Sequence, residues 1–308
     1  MIVAVTGAGG YLGSRLTSAL DGHDVRALVR KFVDYLPDDQ QVEIDLLSGG
    51  PDLTEALAGA GTVVHLAGLN EVAAAQDPDR ALAETAIAGR HVAAAARTAG
   101  VTRLVYVSTV HVYGALLRDD AVVTEELAPE PRSEYAVARL ASEHLIQAGA
   151  GDDVATVVLR LTNAVGAPAH PAVDRWSLVA ADLSRQAVRD GRLVLRSSGV
   201  QWRDFVVLAD VCRIIAGCAT TGIEPGTYNL ASGTSMTVRG LAELVQDRFA
   251  HHTGTRPVLE APEHQGPAPR PYRVAVDKLV AQGWRAGTPL TEGIDELVRF
   301  CLDHEADL

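Results

Sequence analysis

Ile2-Val3-Ala4-Val5-Thr6-Gly7-Ala8-Gly9-Gly10-Tyr11-Leu12-Gly13 decides the reading of this chain. An apolar run of strand length leads into glycines at 7, 10 and 13, and a helical stretch follows from Tyr11 to Leu20. Glycine lets the backbone turn tightly and lie close to a ligand. A helix that begins there offers unpaired N–H groups and the positive end of its dipole. That combination suits a pyrophosphate, so the segment predicts a dinucleotide site. Three glycines alone are a weak sign; the strand before them and the helix after them carry the reading.

Outward from this turn, short β-branched runs alternate with alanine-rich helical stretches. Strands are predicted at Ile2–Thr6, Asp24–Val29, Val42–Asp45, Thr62–Leu66, Arg103–Ser108 and Ala155–Leu161. Helices are predicted at Tyr11–Leu20, Leu53–Ala58, Arg80–Ala99 and Glu134–Ala148. The strands are continuously apolar, as strands buried on both faces are. The fold class is therefore α/β, a doubly wound parallel (Rossmann) sheet over residues 1–165. Residues 166–308 form a smaller α+β, mainly substrate-binding portion, with some segments returning to the first. Prolines break it into shorter elements, with helices predicted at Ser177–Asp190 and Val238–Phe249.

The 308 residues carry a net charge of −12, which argues against nucleic acid as a partner. Cys212, Cys218 and Cys301 are scattered and form neither a metal-ligand spacing nor a disulfide framework, so no metal is expected. No apolar stretch nears the ~20 residues that span a bilayer. No basic segment precedes Ile2, so neither a signal peptide nor a membrane is expected and a cytoplasmic location is.

The end of the second predicted strand selects the cofactor's ribose: an acid there holds hydroxyls, a base meets a 2′-phosphate. Arg30-Lys31 stands there without an acid. The pair favours NADP; as a solvated loop pair it leaves NAD possible. Asp45 is a partner for the adenine amino group or a plain surface carboxylate.

A strand ends in Ser108-Thr109, and Tyr135 and Arg139 lie four apart on a predicted helix, on one side of it. A phenol beside a cation exchanges a proton with an alcohol oxygen while hydride moves to or from a nicotinamide. A nearby hydroxyl orients the same oxygen.

With these residues the chain resembles the extended short-chain dehydrogenase/reductase family, of the NAD-dependent epimerase/dehydratase type. That family includes UDP-galactose 4-epimerase, sugar-nucleotide dehydratases and nucleotide-sugar ketoreductases. The matching pieces run nearly end to end: the glycine turn, Asp45, His65-Leu66-Ala67-Gly68, the 108–114 segment and Tyr135. Later come Asn163-Ala164-Val165-Gly166, Arg203-Asp204-Phe205-Val206, Tyr228-Asn229-Leu230, Arg270-Pro271 and Gly283-Trp284. The resemblance implies Thr109, Tyr135 and Arg139 as the catalytic group. It implies cofactor contacts at Gly7, Gly10, Tyr11, Leu12, Gly13, Arg30, Asp45, Leu46, Leu66, Ala67 and Gly68, besides Tyr135 and Arg139. It implies substrate contacts at Thr109, His111, Asn163, Arg203 and Arg270, the last three at the nucleotide diphosphate. Asn163 as a turn residue, or Arg203 paired with Asp204, would need no ligand. A homodimer is expected by resemblance, through the helices at 80–99 and 134–148, although their small residues could equally pack on the sheet.

Three departures refine the expectation. Arg139 replaces the family's lysine and stays protonated, so it supplies charge without passing a proton. Val110-His111 replaces the Asp-Glu pair of the 4,6-dehydratases, which argues against dehydration; His111 is then a base or a packing residue. Ala86 and Arg273 replace an asparagine and an aspartate common among relatives. The implied activity is reduction of a 4-keto sugar or epimerisation of a nucleotide-activated sugar. A dinucleotide sensor without turnover and an alcohol- or steroid-type dehydrogenase are the alternatives.

Overall fold

The computed structural model describes residues 1–307; Leu308, the end of the predicted C-terminal portion, lies outside the described residues. Seven parallel strands make the central sheet: Ile2–Thr6 (β1), Asp24–Val29 (β2), Gln41–Glu43 (β3), Ala60–His65 (β4), Arg103–Thr109 (β5), Ala155–Leu161 (β6) and Gly226–Leu230 (β7). Their order is β7-β6-β5-β4-β1-β2-β3. The chain reverses direction across the sheet between β1 and β4, the position where open parallel sheets hold ligands at their carboxyl ends.

The continuous apolar runs are explained by helices on both faces. Val3, Val5, Val105 and Val157 pack on one side against Leu16 of helix Tyr11–Ala19 and Val211 and Ile214 of helix Leu208–Thr220. Ala4, Leu28, Val63, Leu104 and Val158 face the other side, against Leu53, Val92 and Ile146. Alternate residues of each strand thus serve opposite faces, and neither face tolerates polar alternation.

The predicted elements are found with shifted ends. The third strand closes at Glu43 rather than Asp45, because Asp45 turns the chain: its Oδ1 accepts from the Leu47 amide at 2.9 Å. The second helix begins at Gly50, with Pro51 in its first turn, and ends at Ala56. The predicted helix over 80–99 is a continuous run from Pro78 to Thr98, with a π-helical stretch at Leu82–Ile87. The other four predicted helices span Tyr11–Ala19, Glu134–Ala150, Val179–Asp190 and Val238–Thr253. Helices Leu208–Thr220 and Leu290–Asp303, absent from the sequence reading, complete the layers.

Past the central sheet, Asn163–Val165, Trp202–Val207 and Ser235–Thr237 pair as a second, three-stranded sheet. Helices Val179–Asp190, Val238–Thr253 and Leu290–Asp303 share a core with it, including Leu183, Phe205, Leu241, Val245 and Leu297. Residues 208–230 return to the first sheet as a covering helix and β7, beyond the boundary drawn at 165.

A buried polar network fastens β5, β6 and β7 behind the site. Arg160 and Glu143, both almost without solvent access, pair at 2.8 Å, and Ser108 Oγ donates to the same carboxylate. The Arg160 guanidinium lies 4.8 Å from the Tyr113 ring centre, and Tyr113 Oη donates to Asn229 Oδ1 at 2.8 Å. Removing one member of a buried pair strands the other charge. Glu143→Ala therefore lowers the unfolding free energy by about 3–5 kcal/mol, read as a fall in the urea midpoint.

Candidate active site

The glycine turn forms the floor of a crevice of about 570 Å³ at the carboxyl ends of β1, β2 and β4. Gly7, Gly10, Arg30, Asp45, Leu46, Leu66, Ala67 and Gly68, all sequence-predicted, line it. Lys31, Gly9, Val33 and Glu84 line it as well. Gly13 serves the turn from below: a Cβ there would lie 2.2 Å from the Gly7 carbonyl oxygen. The helix that follows starts at Gly10 with no side-chain cap, so its first amide groups are left for a ligand. These are the features a pyrophosphate needs, and a dinucleotide fits the residues present. Tyr11 departs from a simple cofactor contact: its hydroxyl donates to the Gly166 carbonyl at 2.7 Å and ties the helix start to the C-terminal portion. Burial, reinforced by Glu296, pushes that phenol's pKa upward.

Tyr135 and Arg139 occupy the first turns of helix Glu134–Ala150, which Ser133 caps by accepting from the Ala136 amide. One turn apart, the two side chains meet: the guanidinium carbon lies 5.3 Å from the Tyr135 ring centre. Arg139 is buried, and its Nη1 donates to the Val107 carbonyl at 3.3 Å. Gly68 makes room for it, since a Cβ at 68 would sit 3.1 Å from the guanidinium carbon. Burial opposes the charge, but the oxygens of Tyr135 and Tyr106 outweigh it and hold Arg139 protonated above the ordinary arginine range.

His65 shows what the cation imposes on its surroundings. Its ring is fully buried, 2.7 Å from Thr6 Oγ1 and stacked on Tyr106 at 5.4 Å. Burial first, then Arg139, depress its pKa to about 3, so it is neutral. His65 Nε2, Tyr106 Oη and Arg139 Nε are buried without a hydrogen-bond partner, a polar nest against the arginine.

Thr109 ends β5, and its Oγ1 accepts from the His111 amide at 3.2 Å. The His111 ring meets the Tyr135 ring edge-on, 6.4 Å between centres. Its enclosure in the cleft and the charge of Arg203 lower the His111 pKa, against Glu71, which raises it. The structure thus links Thr109 to His111, His111 to Tyr135 and Tyr135 to Arg139, with the Arg203 charge felt at His111. Arg203 is not paired with Asp204: it donates to the Trp202 carbonyl, while Asp204 accepts from Thr162 and Ser232. Asn163 is committed to the backbone, its amide donating to the Asp204 carbonyl at 2.8 Å. Arg270 stands apart on the surface, where it pairs with Asp120 at 2.6 Å.

Sequence reasoning missed two contacts that bring the 170–175 segment against the N-terminal portion. Arg175 pairs with Glu71 at 2.9 Å, and Tyr35 stacks on His170 at 5.0 Å while donating to the Gly9 carbonyl. Both contacts join segments more than a hundred residues apart, so no local pattern announces them.

The model of the NAD dependent epimerase/dehydratase family matches residues 3–231. The chain belongs to this family. It is 30% identical over 309 aligned positions to dTDP-6-deoxy-L-talose 4-dehydrogenase (NAD(P)(+)) of Kitasatospora kifunensis, covering 96% of this chain and 94% of that one. It is 31% identical to GDP-6-deoxy-D-mannose reductase of Pseudomonas aeruginosa, covering 79% of this chain and 78% of that one. Among solved structures, MoeE5 in complex with UDP-glucose and NAD superposes with a TM-score of 0.82 at 27% identity, over 97% of this chain and 98% of that one. Most of the curated relatives it matches are nucleotide-sugar dehydrogenases, reductases, epimerases and dehydratases. No helix among the described residues is long and apolar enough to cross a membrane.

The buried neutral His65 couples stability to pH. Unfolded, the ring titrates near 6.5; folded, near 3, so the unfolded chain binds the extra proton between these values. Its contribution is complete above pH 6.5 and is lost as pH falls toward 3. A His65→Gln variant loses less stability than the wild type on acidification across that window, measured by urea unfolding at stepped pH.

Proposed function

We propose that this chain catalyses hydride exchange between a nicotinamide dinucleotide, NADP or NAD, and a secondary carbinol or ketone carbon of a nucleotide-activated sugar. Reduction of a 4-keto sugar is the favoured reading. The observation that carries it is the contact of Tyr135 with the buried Arg139, whose guanidinium lies against Gly68 in the wall of the glycine-turn crevice. The curated relatives support the sugar: one is a 4-dehydrogenase of a dTDP-6-deoxyhexose, the other a GDP-6-deoxyhexose reductase.

In this reading the glycine turn and the helix start bind the pyrophosphate. The nicotinamide, when bound, supplies or accepts the hydride. Tyr135 gives the proton to the sugar oxygen in reduction and takes it in oxidation. Thr109 orients that oxygen. Arg139 acts through charge alone, from below the phenol, since it does not release its proton. Arg203, with its planar fork, faces the substrate's phosphates. His111, held neutral, offers a hydrogen bond rather than a charge. With Val110-His111 where the dehydratases carry an acid pair, loss of water has no acid–base pair at that position.

Epimerisation is the second reading, favoured by the Glu71–Arg175 and Tyr35–His170 contacts. They tie the 170–175 segment to the N-terminal portion, through Tyr35 to the Gly9 carbonyl of the glycine turn, as suits an enzyme that keeps its cofactor between two hydride steps. A homodimer through the helices at 78–98 and 134–150 is supported by exposed Leu82, Ile87 and Val137 on them.

The test is a nicotinamide absorbance assay against dTDP-, GDP- and UDP-linked 4-keto sugars. Tyr135→Phe lowers turnover about 10²–10⁴-fold with dinucleotide affinity little changed. Cofactor retained through gel filtration selects the epimerase over the reductase. Dinucleotide binding without turnover on any substrate of the panel marks a sensor and refutes the enzyme.

A further inference from the structure

At the crevice wall Arg30 meets a carboxylate. Its Nη2 lies 2.8 Å from Oε2 of Glu84, and Arg80 Nε lies 2.6 Å from Oε1 of the same group. Glu84 is the sheltered member, its side chain 17% exposed against 69% for Arg30. It lines the crevice together with Arg30, Lys31 and Asp45. The π-helical stretch Leu82–Ile87 presents it, a distortion that recurs at functional sites.

Each carboxylate oxygen of Glu84 thus engages one guanidinium, the arrangement a phosphate would take between two arginines. A 2′-phosphate arriving at Arg30 must draw that arginine away from Glu84 or lie beside a like charge. A 2′-hydroxyl is neutral and disturbs neither ion pair. We propose that Glu84 sets cofactor choice in this chain: it holds Arg30 and Arg80 as an internal counter-anion and restrains affinity for the 2′-phosphorylated dinucleotide, so that both forms are accepted. The inference rests on the dinucleotide site proposed above and adds the residue that discriminates within it.

The experiment is titration of the purified, cofactor-stripped protein with NADH and NADPH at low salt, followed by nicotinamide fluorescence. It compares the wild type with Glu84→Gln, which keeps the shape, and Glu84→Ala, a strong helix former. The wild type binds the two dinucleotides within about tenfold of each other, and each variant shifts the ratio toward NADPH by about tenfold or more. Adenosine 2′,5′-bisphosphate, competing against 5′-AMP, reproduces the shift. An unchanged ratio in both variants overturns the inference while the dinucleotide site stands. So does a wild type that already prefers NADPH by about a hundredfold. Failure of the wild type to bind either dinucleotide overturns the proposed function, and this inference with it.

Discussion

A guanidinium buried without a carboxylate is the constraint around which this site is arranged. Taking such a charge out of water costs several kcal/mol unless its surroundings answer it. Around Arg139 the answer consists of the Val107 carbonyl, the Tyr135 ring and the Tyr106 phenol. The absence of a side chain at Gly68 lets the fork reach its place. His65, beside it, is kept neutral so that no second positive charge competes. The cation's position in turn fixes Tyr135, because the two stand one turn apart on the same helix and meet. A lysine would place a compact charge there; the planar fork instead spreads the charge under the phenol and cannot give up its proton.

The rest of the fold serves to hold that corner against the dinucleotide crevice. β5 delivers both the Val107 carbonyl and Thr109, and its end is pinned from behind by Ser108, Glu143 and Arg160. Asn229 of β7 links that pin to the returning segment, with its amide on the carbonyls of Val123 and Ala275. The C-terminal portion reaches the crevice at separate points, Tyr11 with Gly166 and Arg15 with Glu296. These contacts tie the glycine turn and its helix to the C-terminal portion.

The central sheet was legible because the middles of its strands are buried on both faces and hence mostly apolar. The glycine turn was legible because its spacing is dictated by backbone contact, as Gly13 against the Gly7 carbonyl shows. The meeting of Tyr135 with Arg139 followed from helical spacing. Helix Leu208–Thr220 carries a helical pattern in Leu208, Val211, Cys212, Ile215 and Cys218, but no side-chain cap marks its start. Other features had no local signature. The Glu84 link to Arg30 spans 54 residues, and it leaves the cation that spoke for a 2′-phosphate paired with an acid. Arg270 follows the family's order of motifs, but its pairing with Asp120, 150 residues earlier, has no local sign. Side-chain identity announces a charge; only the fold decides what answers it.

The claim that this cleft moves hydride onto a sugar is tested most directly by isotope transfer. The wild-type protein is incubated with NADPH or NADH deuterated at the reacting carbon of the nicotinamide and a dTDP-4-keto-6-deoxyhexose, and the sugar is examined by mass spectrometry. The account predicts a deuteron on the former carbonyl carbon of the product. Product formed without the label, or label remaining wholly on a bound and unreacted cofactor across the nucleotide-sugar panel, would contradict it.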